Sequence, residues 1–244
     1  MTQRSAAPSA SRAVSASTAP SAPTVPAVHT AGSPRFLVVL DADSTLIHDE
    51  VIELLAEEAG SRTEVAEITD RAMRGELDFE QSLRERVRTL AGLPVEVFEH
   101  VGERVRVTDG AAELVAGVRA AGGRVGVVSG GFHEVLDGLG HRLALDHWRA
   151  NRLEVVDGVL TGGLVGAIVD AEAKAAALRE WAADAGIPLA CTVAVGDGAN
   201  DLRMMAAAAL SVAFNAKPRV RAEANVVIDR QDLSQVLAVL GLRG

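Results

Sequence analysis

"RFLVVLDADSTLIHDE", Arg35–Glu50, is the stretch that decides the fold of this 244-residue chain. Five apolar residues, Phe36–Leu40, run straight into Asp41 and Asp43, which are followed by Ser44 and Thr45. An unbroken apolar run of this length fits a strand of a parallel sheet covered on both faces. Such a strand delivers two like charges to its own C-terminal end, the place where ligands of open α/β sheets bind. Successive strand residues point to opposite sides, so Asp41 and Asp43 are expected on one face, about 7 Å apart, with Ala42 turned away.

After this strand, residues 49–107 carry apolar residues at helical spacing with charges between them, and glycines at Gly60, Gly75 and Gly92 act as stops. This reads as a small helical subdomain without strands. Alternation of strand and helix resumes near Thr108. "RVGVVSGG" is a second buried strand ending in Ser129, Gly130 and Gly131, and "CTVAVGDGAND" is a third, ending at Asp197. Asp157-Gly158 inside "NRLEVVDGVLTGGLVG" marks a hairpin. "DAEAKAAALREWAADAG", "LRMMAAAAL" and "DLSQVLAVL" read as helices, and "SVAF" and "NVVI" as short strands. The expected fold is α/β, a doubly wound parallel sheet with helices on both faces.

Residues 1–33 are built from Ala, Ser, Pro, Thr and Val, with Arg4 and Arg12 and no acid. A segment of that composition cannot bury enough apolar surface to offset its ordering entropy, and it reads as a disordered tail. A transit peptide shares this composition, but Pro8, Pro20, Pro23 and Pro26 interrupt any continuous amphipathic helix. The net charge of -9 opposes a nucleic-acid partner, and no apolar run reaches the roughly 18 residues of a membrane helix. Cys191 is the single cysteine, which excludes an internal disulfide and suits a reducing compartment; a cytoplasmic location is expected.

Asp41, Asp43 and Asp197 leave different strands toward one edge and have no His or Cys beside them in sequence. Hard oxygen ligands of this kind suit Mg²⁺ together with a phosphate. The cation would also relieve the repulsion between the aspartates. Taken singly, an aspartate at a strand end caps a turn as readily as it binds metal. One carboxylate can serve as nucleophile and the other as proton carrier. Ser129-Gly130-Gly131 offers a hydroxyl and free backbone N–H groups to an anion, or is an ordinary glycine-rich turn. Lys174, on an alanine-rich helix, would by itself be read as solvated surface. No P-loop, dinucleotide fingerprint or G-x-S-x-G elbow occurs, and the six histidines lack the spacing of a zinc site.

"DADSTLI", "VVSGGF", a helix-borne Lys174 and "VAVGDGAND" stand in the order of the four motifs of the haloacid dehalogenase superfamily of phosphohydrolases, which the chain resembles over roughly residues 35–240. "DEVIELLAEEAG", "EITDRAMRGELDFEQSLRERV", "ANRLEVVDGVLTG" and "FNAKP" extend the likeness to the phosphoserine-hydrolysing branch. The resemblance implies a Rossmann-like core of residues 34–48 and 108–244, with residues 49–107 as a helical cap inserted after the first strand. It implies Asp41 as a nucleophile that becomes an aspartyl-phosphate, and Asp43 as the acid and then the base. Mg²⁺ would be held by Asp41, the Asp43 carbonyl and Asp197, with Asp201 behind them. Ser129, Gly130, Lys174 and Asn200 would hold the phosphoryl oxygens. Glu50 and Arg86 would take the ammonium and carboxylate of O-phosphoserine, with Met73 and Phe79 as apolar wall. Without the resemblance, Glu50 reads as a helix-start acid and Arg86 as a surface ion pair.

Ala42 departs from the bulkier residue common in relatives, and the regulatory module that some relatives carry at the N-terminus has no counterpart in residues 1–33. Feedback by serine through such a module is not expected. Two other functions remain open to the same residues. One is hydrolysis or transfer of the phosphoryl group of another small phosphomonoester. The other is a non-catalytic phospho-ligand-binding protein, which the presence of both Asp41 and Asp43 opposes.

Overall fold

Leu37–Leu40 forms strand β1, and all four side chains are buried. They alternate: Leu37 and Val39 enter an apolar cluster on one face of the sheet, and Val38 and Leu40 enter a larger one on the other. That two-sided burial is the physical reason for the unbroken apolar run. Four such side chains, each worth about 1.5–3 kcal/mol when buried, anchor β1 in the middle of the sheet.

The computed structural model describes residues 1–2 and 35–242. The expected N-terminal tail lies, apart from its first two residues, outside them. After β1 come a wide turn, Ala42–Leu46, and four helices: α1 Val51–Glu58, α2 Arg62–Met73, α3 Phe79–Arg88 and α4 Val97–Arg104. The chain then runs through α5 Ala111–Ala120, β2 Arg124–Phe132, α6 His133–Arg142, β3 His147–Val156 and β4 Val159–Val165. It ends with α7 Ala171–Asp184, β5 Thr192–Gly196, α8 Leu202–Ala207, β6 Leu210–Phe214, α9 Pro218–Glu223, β7 Val226–Ile228 and α10 Gln235–Val239.

Among the described residues the sheet has seven strands in the order β4-β3-β2-β1-β5-β6-β7. All neighbours are parallel except β3 and β4. Those two form the expected hairpin, turning through Asp157 and Gly158 at φ 50° and 77°, the left-handed pair that a tight hairpin turn requires. The helices α5 and α10 cover one face through Leu114, Val118, Val236 and Leu237, and α7 and α8 cover the other through Leu178, Trp181, Met204 and Met205. Strand order reverses at β1, which pairs with β2 on one side and β5 on the other. The C-terminal ends of these three strands therefore open on one crevice, the switch point of a doubly wound sheet.

Residues 49–107 leave and rejoin the sheet at one place. Ile47 and Val107 form an antiparallel bridge, His48 N–H donates to the Arg106 carbonyl at 2.9 Å, and Thr108 N–H donates to the Leu46 carbonyl at 2.9 Å. Asp49 closes the crossing: its carboxylate accepts from the Arg106 backbone at 2.8 Å and from the Arg106 guanidinium at 2.6 Å.

Two local readings change. The strand ends at Leu40; Asp41 adds one more rung through its N–H to the Val195 carbonyl at 3.0 Å, and the chain then turns, with Ser44 at φ 56°. The turn, rather than strand alternation, places Asp43. The Ser129–Gly131 stretch, expected at the end of the second strand with a glycine-rich turn as the alternative, lies inside β2, where the pairing with β3 slips by two residues between Val128 and Phe132.

Candidate active site

The crevice at the ends of β1, β2 and β5 is a pocket of about 100 Å³, lined in part by Asp41, Asp43, Glu50, Phe79, Arg86, Gly130, Asp197 and Asn200. That is smaller than the ~300–1,000 Å³ typical of sites for drug-sized ligands, and it suits a small substrate. Ser129, Lys174 and Asp201 are buried. Those three and Met73 are the residues singled out from the sequence that do not line the pocket, and of the four only Met73 is exposed. It ends α2, is 77 % exposed and does not line the pocket. The helical period carries it past the packed side of α2, where Val65 and Ile68 are buried.

Lys174, in the first turn of α7, is 0 % exposed. Its Nζ lies 2.7 Å from Asp41 Oδ1 and 2.7 Å from Asp201 Oδ1. Burial alone would lower its pKa, but Asp201 and Asp41 outweigh burial and hold the ammonium well above its ordinary value. A lone surface lysine in the sequence is thus the charge around which the acids are arranged.

Asp201 uses both oxygens within the protein. Oδ1 accepts from Lys174, and Oδ2 accepts from the backbone N–H of Asp197 and of Gly198, each at 3.1 Å. Gly196 is required for this approach, because a Cβ there would stand 2.4 Å from Asp201 Oδ2. Asp41 and Asp197 are not saturated in that way. Burial and then the Asp201 charge push Asp41 well above the usual carboxylate range, against the pull of Lys174. Asp197 is raised to about 6 by the same two causes, burial first and Asp201 second.

Carboxylate oxygens of Asp41, Asp197 and Asp201 lie within 4.8 Å of one another, all three residues buried. One ammonium cannot neutralise three buried carboxylates, and that deficit adds to burial in raising Asp41 and Asp197. A small divalent cation with oxygen ligands fits this donor set. With Asp201 already committed, Asp41 and Asp197 are the residues free to hold it.

Asp43 accepts from the Val51 N–H through Oδ1 at 3.3 Å. Burial, then the neighbouring Glu50 charge, raises it to about 8, so its carboxyl is suited to carry a proton at neutral pH. Gly131 is packed against it: a Cβ there would stand 2.9 Å from Asp43 Oδ2 and 3.1 Å from Ser129 Oγ. The Gly131 N–H donates to Ser129 Oγ at 2.8 Å, which leaves the hydroxyl proton for another acceptor.

Glu50 precedes α1 and accepts from the Ser44 hydroxyl at 2.7 Å, a contact made by the left-handed Ser44. Arg86, on α3, donates from Nε to the Ser82 carbonyl at 3.3 Å, using one of its five donors. Burial lowers its pKa, against the attraction of Glu50 and Asp43. Phe79 opens α3 behind the Asp78–Gln81 capping box and packs toward Gly130, where a Cβ would meet its Cζ at 3.0 Å.

Sequence reading did not single out Lys217, Ile52, Leu83 or Phe132 as lining residues, and it named Gly131 only as part of the Ser129–Gly131 anion-binding stretch. Gly131 was legible as the second glycine of "SGG". Lys217, in "FNAKP", stands at the pocket mouth, 68 % exposed, with Nζ 3.8 Å from Asp197 Oδ2. Only the fold brings it there.

Residues 38–206 match the model of the haloacid dehalogenase-like hydrolases. The chain is 53 % identical over 204 residues to the phosphoserine phosphatase of Streptococcus thermophilus, an alignment covering 84 % of this chain and 95 % of that protein. It is 57 % identical over 206 residues to the phosphoserine phosphatase of Streptomyces coelicolor, covering 84 % of this chain and 50 % of that longer protein. Among solved structures, a phosphoserine phosphatase with an analogue of the phospho-aspartyl intermediate superposes with a TM-score of 0.80 at 44 % identity, covering 84 % of this chain and 99 % of that one.

Proposed function

Because this chain belongs to the haloacid dehalogenase-like hydrolases, we propose that its pocket hydrolyses O-phospho-L-serine to L-serine and phosphate through a covalent intermediate on Asp41. One observation carries the substrate: the pocket that holds Asp41 and Asp43 is also lined by one acid, Glu50, and one forked base, Arg86. Phosphoserine needs that pair for its ammonium and its carboxylate.

In the first step an Asp41 carboxylate oxygen attacks phosphorus while the bond from phosphorus to the serine oxygen breaks. Asp43 gives its proton to that departing oxygen. In the second step Asp43, now a carboxylate, takes a proton from a water whose oxygen attacks phosphorus. The bond to Asp41 breaks, phosphate leaves and both acids return to their starting states. Ser129, Gly130, Lys174 and Asn200 hold the phosphoryl oxygens, and Lys174 offsets the charge that gathers there in transfer. Mg²⁺ is the cation assigned to Asp41, Asp197 and the Asp43 carbonyl, with Asp201 buttressing. When bound, it would draw a dianionic phosphate toward an anionic nucleophile. Residues 49–107 act as the cap, bringing Glu50, Phe79 and Arg86 over the reacting group and excluding water. Met73 has no place in this assignment. The exposed thiol of Cys191 accords with a reducing, cytoplasmic compartment.

The test is phosphate release, with Mg²⁺ and with a chelator, from O-phospho-L-serine, O-phosphothreonine, a sugar phosphate and p-nitrophenyl phosphate. Phosphoserine is expected to be the preferred substrate, and the chelator to abolish turnover. Arg86→Ala is expected to raise KM for phosphoserine at least about tenfold, the scale of a lost charged hydrogen bond, and to leave p-nitrophenyl phosphate nearly unchanged. No release from phosphoserine alongside good hydrolysis of another ester would refute the substrate.

A further inference from the structure

Asn151 has no part in the chemistry above, yet it is a buried carboxamide, 2 % exposed, beside the phosphate-binding segment. It sits on β3 where the pairing with β2 slips, opposite Phe132 rather than in register with the preceding Val128–Arg149 pair. The slip leaves Ser129–Gly131 without a regular ladder. The Asn151 side chain supplies what is missing. Its Nδ2 donates to the Gly130 carbonyl at 2.8 Å, and its Oδ1 accepts from the Val169 N–H at 2.8 Å.

Both contacts lead to groups assigned to the phosphoryl oxygens. The Gly130–Gly131 peptide is planar and trans, so fixing the Gly130 carbonyl toward Asn151 aims the Gly131 N–H the opposite way. That N–H donates to Ser129 Oγ at 2.8 Å and so orients the hydroxyl. With a glycine on each side of the peptide, no Cβ restricts its rotation, and the hydrogen bond to Ser129 Oγ restrains it only from the N–H side. On the other arm, Val169 adjoins Asp170, the residue that caps α7 by accepting from the Ala173 N–H at 2.8 Å. Lys174 follows one residue later. One carboxamide thus spans the two parts of the cradle, the Ser129–Gly131 segment and the start of the helix that carries Lys174.

We propose that Asn151 is a positioning residue for phosphoryl binding and transfer, acting by holding the Gly130–Gly131 peptide and the start of α7 in fixed relation. The proposal rests on the reading of Ser129, Gly130 and Lys174 as the phosphate cradle. It acts on the phosphoryl group, so its effect is independent of what the phosphate is esterified to.

Asn151→Asp tests it with nearly unchanged shape, keeping an acceptor for Val169 and losing the donor to Gly130. The full chain with Mg²⁺ is assayed for kcat and KM on O-phospho-L-serine and p-nitrophenyl phosphate, for inhibition by orthophosphate, and for the Mg²⁺ concentration giving half-maximal rate. A misplacement on the 1 Å scale costs up to about 100-fold. The expected result is a loss of about 10–100-fold in kcat/KM on both substrates, with orthophosphate inhibition weakened in parallel and Mg²⁺ half-saturation within about threefold of the parent. A folded variant within twofold of the parent on both substrates, or one impaired on phosphoserine alone, would overturn the proposal. Should the aspartate variant fail to fold, Asn151→Ser carries the same two outcomes. Ser129→Ala separates the layers: if it leaves both substrates unaffected, the cradle reading itself fails. If it impairs them while the Asn151 variants do not, only the role of Asn151 fails.

Discussion

Replacing Lys174 by methionine removes the ammonium and keeps the length of the side chain. In the folded protein that ammonium is fully buried and touches Asp41 and Asp201 at 2.7 Å each. Removing one partner of a buried pair costs about 3–5 kcal/mol, because the other charge is left without compensation. Lys174 serves two carboxylates, so the upper part of that range applies. For a chain of this size the loss corresponds to a drop in Tm of about 8–20 °C, against a total stability of about 5–15 kcal/mol. Activity falls by a separate route. Asp41 is already raised by burial and by Asp201, and Lys174 is the main opposing influence. Without it the carboxyl that must attack phosphorus holds its proton more tightly, and the transferring phosphoryl group loses a cation worth about 10²–10³ in kcat.

The assay pairs thermal unfolding by circular dichroism with phosphate release at a temperature where the variant is folded. Asp201→Asn in the same chain serves as the control, since it removes one of the stranded charges and is expected to recover part of the Tm loss. A folded Lys174→Met variant with kcat within threefold of the parent would refute the reasoning. So would an unchanged Tm, because three buried carboxylates would then need no ammonium.

Gly131→Ala places a methyl 2.9 Å from Asp43 Oδ2, and kcat is expected to drop by about 10–100-fold as the proton carrier is displaced; steady-state kinetics on phosphoserine checks this. Met73→Ala is expected to leave KM for phosphoserine within twofold, whereas Phe79→Ala raises it several-fold, because Phe79 lines the pocket and Met73 does not. Asp49 is held below the usual aspartate range: burial, the largest influence, raises it but is outweighed by its hydrogen bonds and charge contact with Arg106. A depressed folded pKa gives stability that is present above the ordinary value near 3.8 and lost as pH falls through the folded value. Asp49→Asn should therefore lower the denaturation midpoint at pH 7, and the gap from the parent should close on acidification below pH ~4. A gap that stays constant to pH ~2.5 would assign the loss to something other than the Arg106 clasp.

The sheet was legible because its causes are local. Phe36–Leu40 is apolar throughout since both faces of β1 are covered, and Asp157-Gly158 marks a hairpin since few other residues adopt two left-handed conformations in succession. The aspartates at the strand ends were legible as a set for the same reason: topology alone sends β1, β2 and β5 to one crevice. What stayed hidden depends on contacts between distant parts of the chain. The Asp49–Arg106 clasp joins residues 57 apart. Lys174 looks like surface until α7 packs it between two acids, and Asn151 acquires a role only through a slip of register that no periodicity encodes. Met73 shows the converse. A motif likeness placed it at the substrate, and in the structure it ends α2, exposed and outside the pocket lining.

The account stands most directly on Asp41 as the point of covalent attachment. O-phospho-L-serine labelled in its phosphoryl group is mixed with an excess of the protein and Mg²⁺, quenched in acid within the first turnover, and the protein digested and mapped. The expected result is label on the peptide containing Asp41, discharged by alkali as an acyl phosphate, and absent from Asp41→Asn, which no longer turns over. Phosphate release without any protein-bound label, or label that persists in Asp41→Asn, would contradict the account.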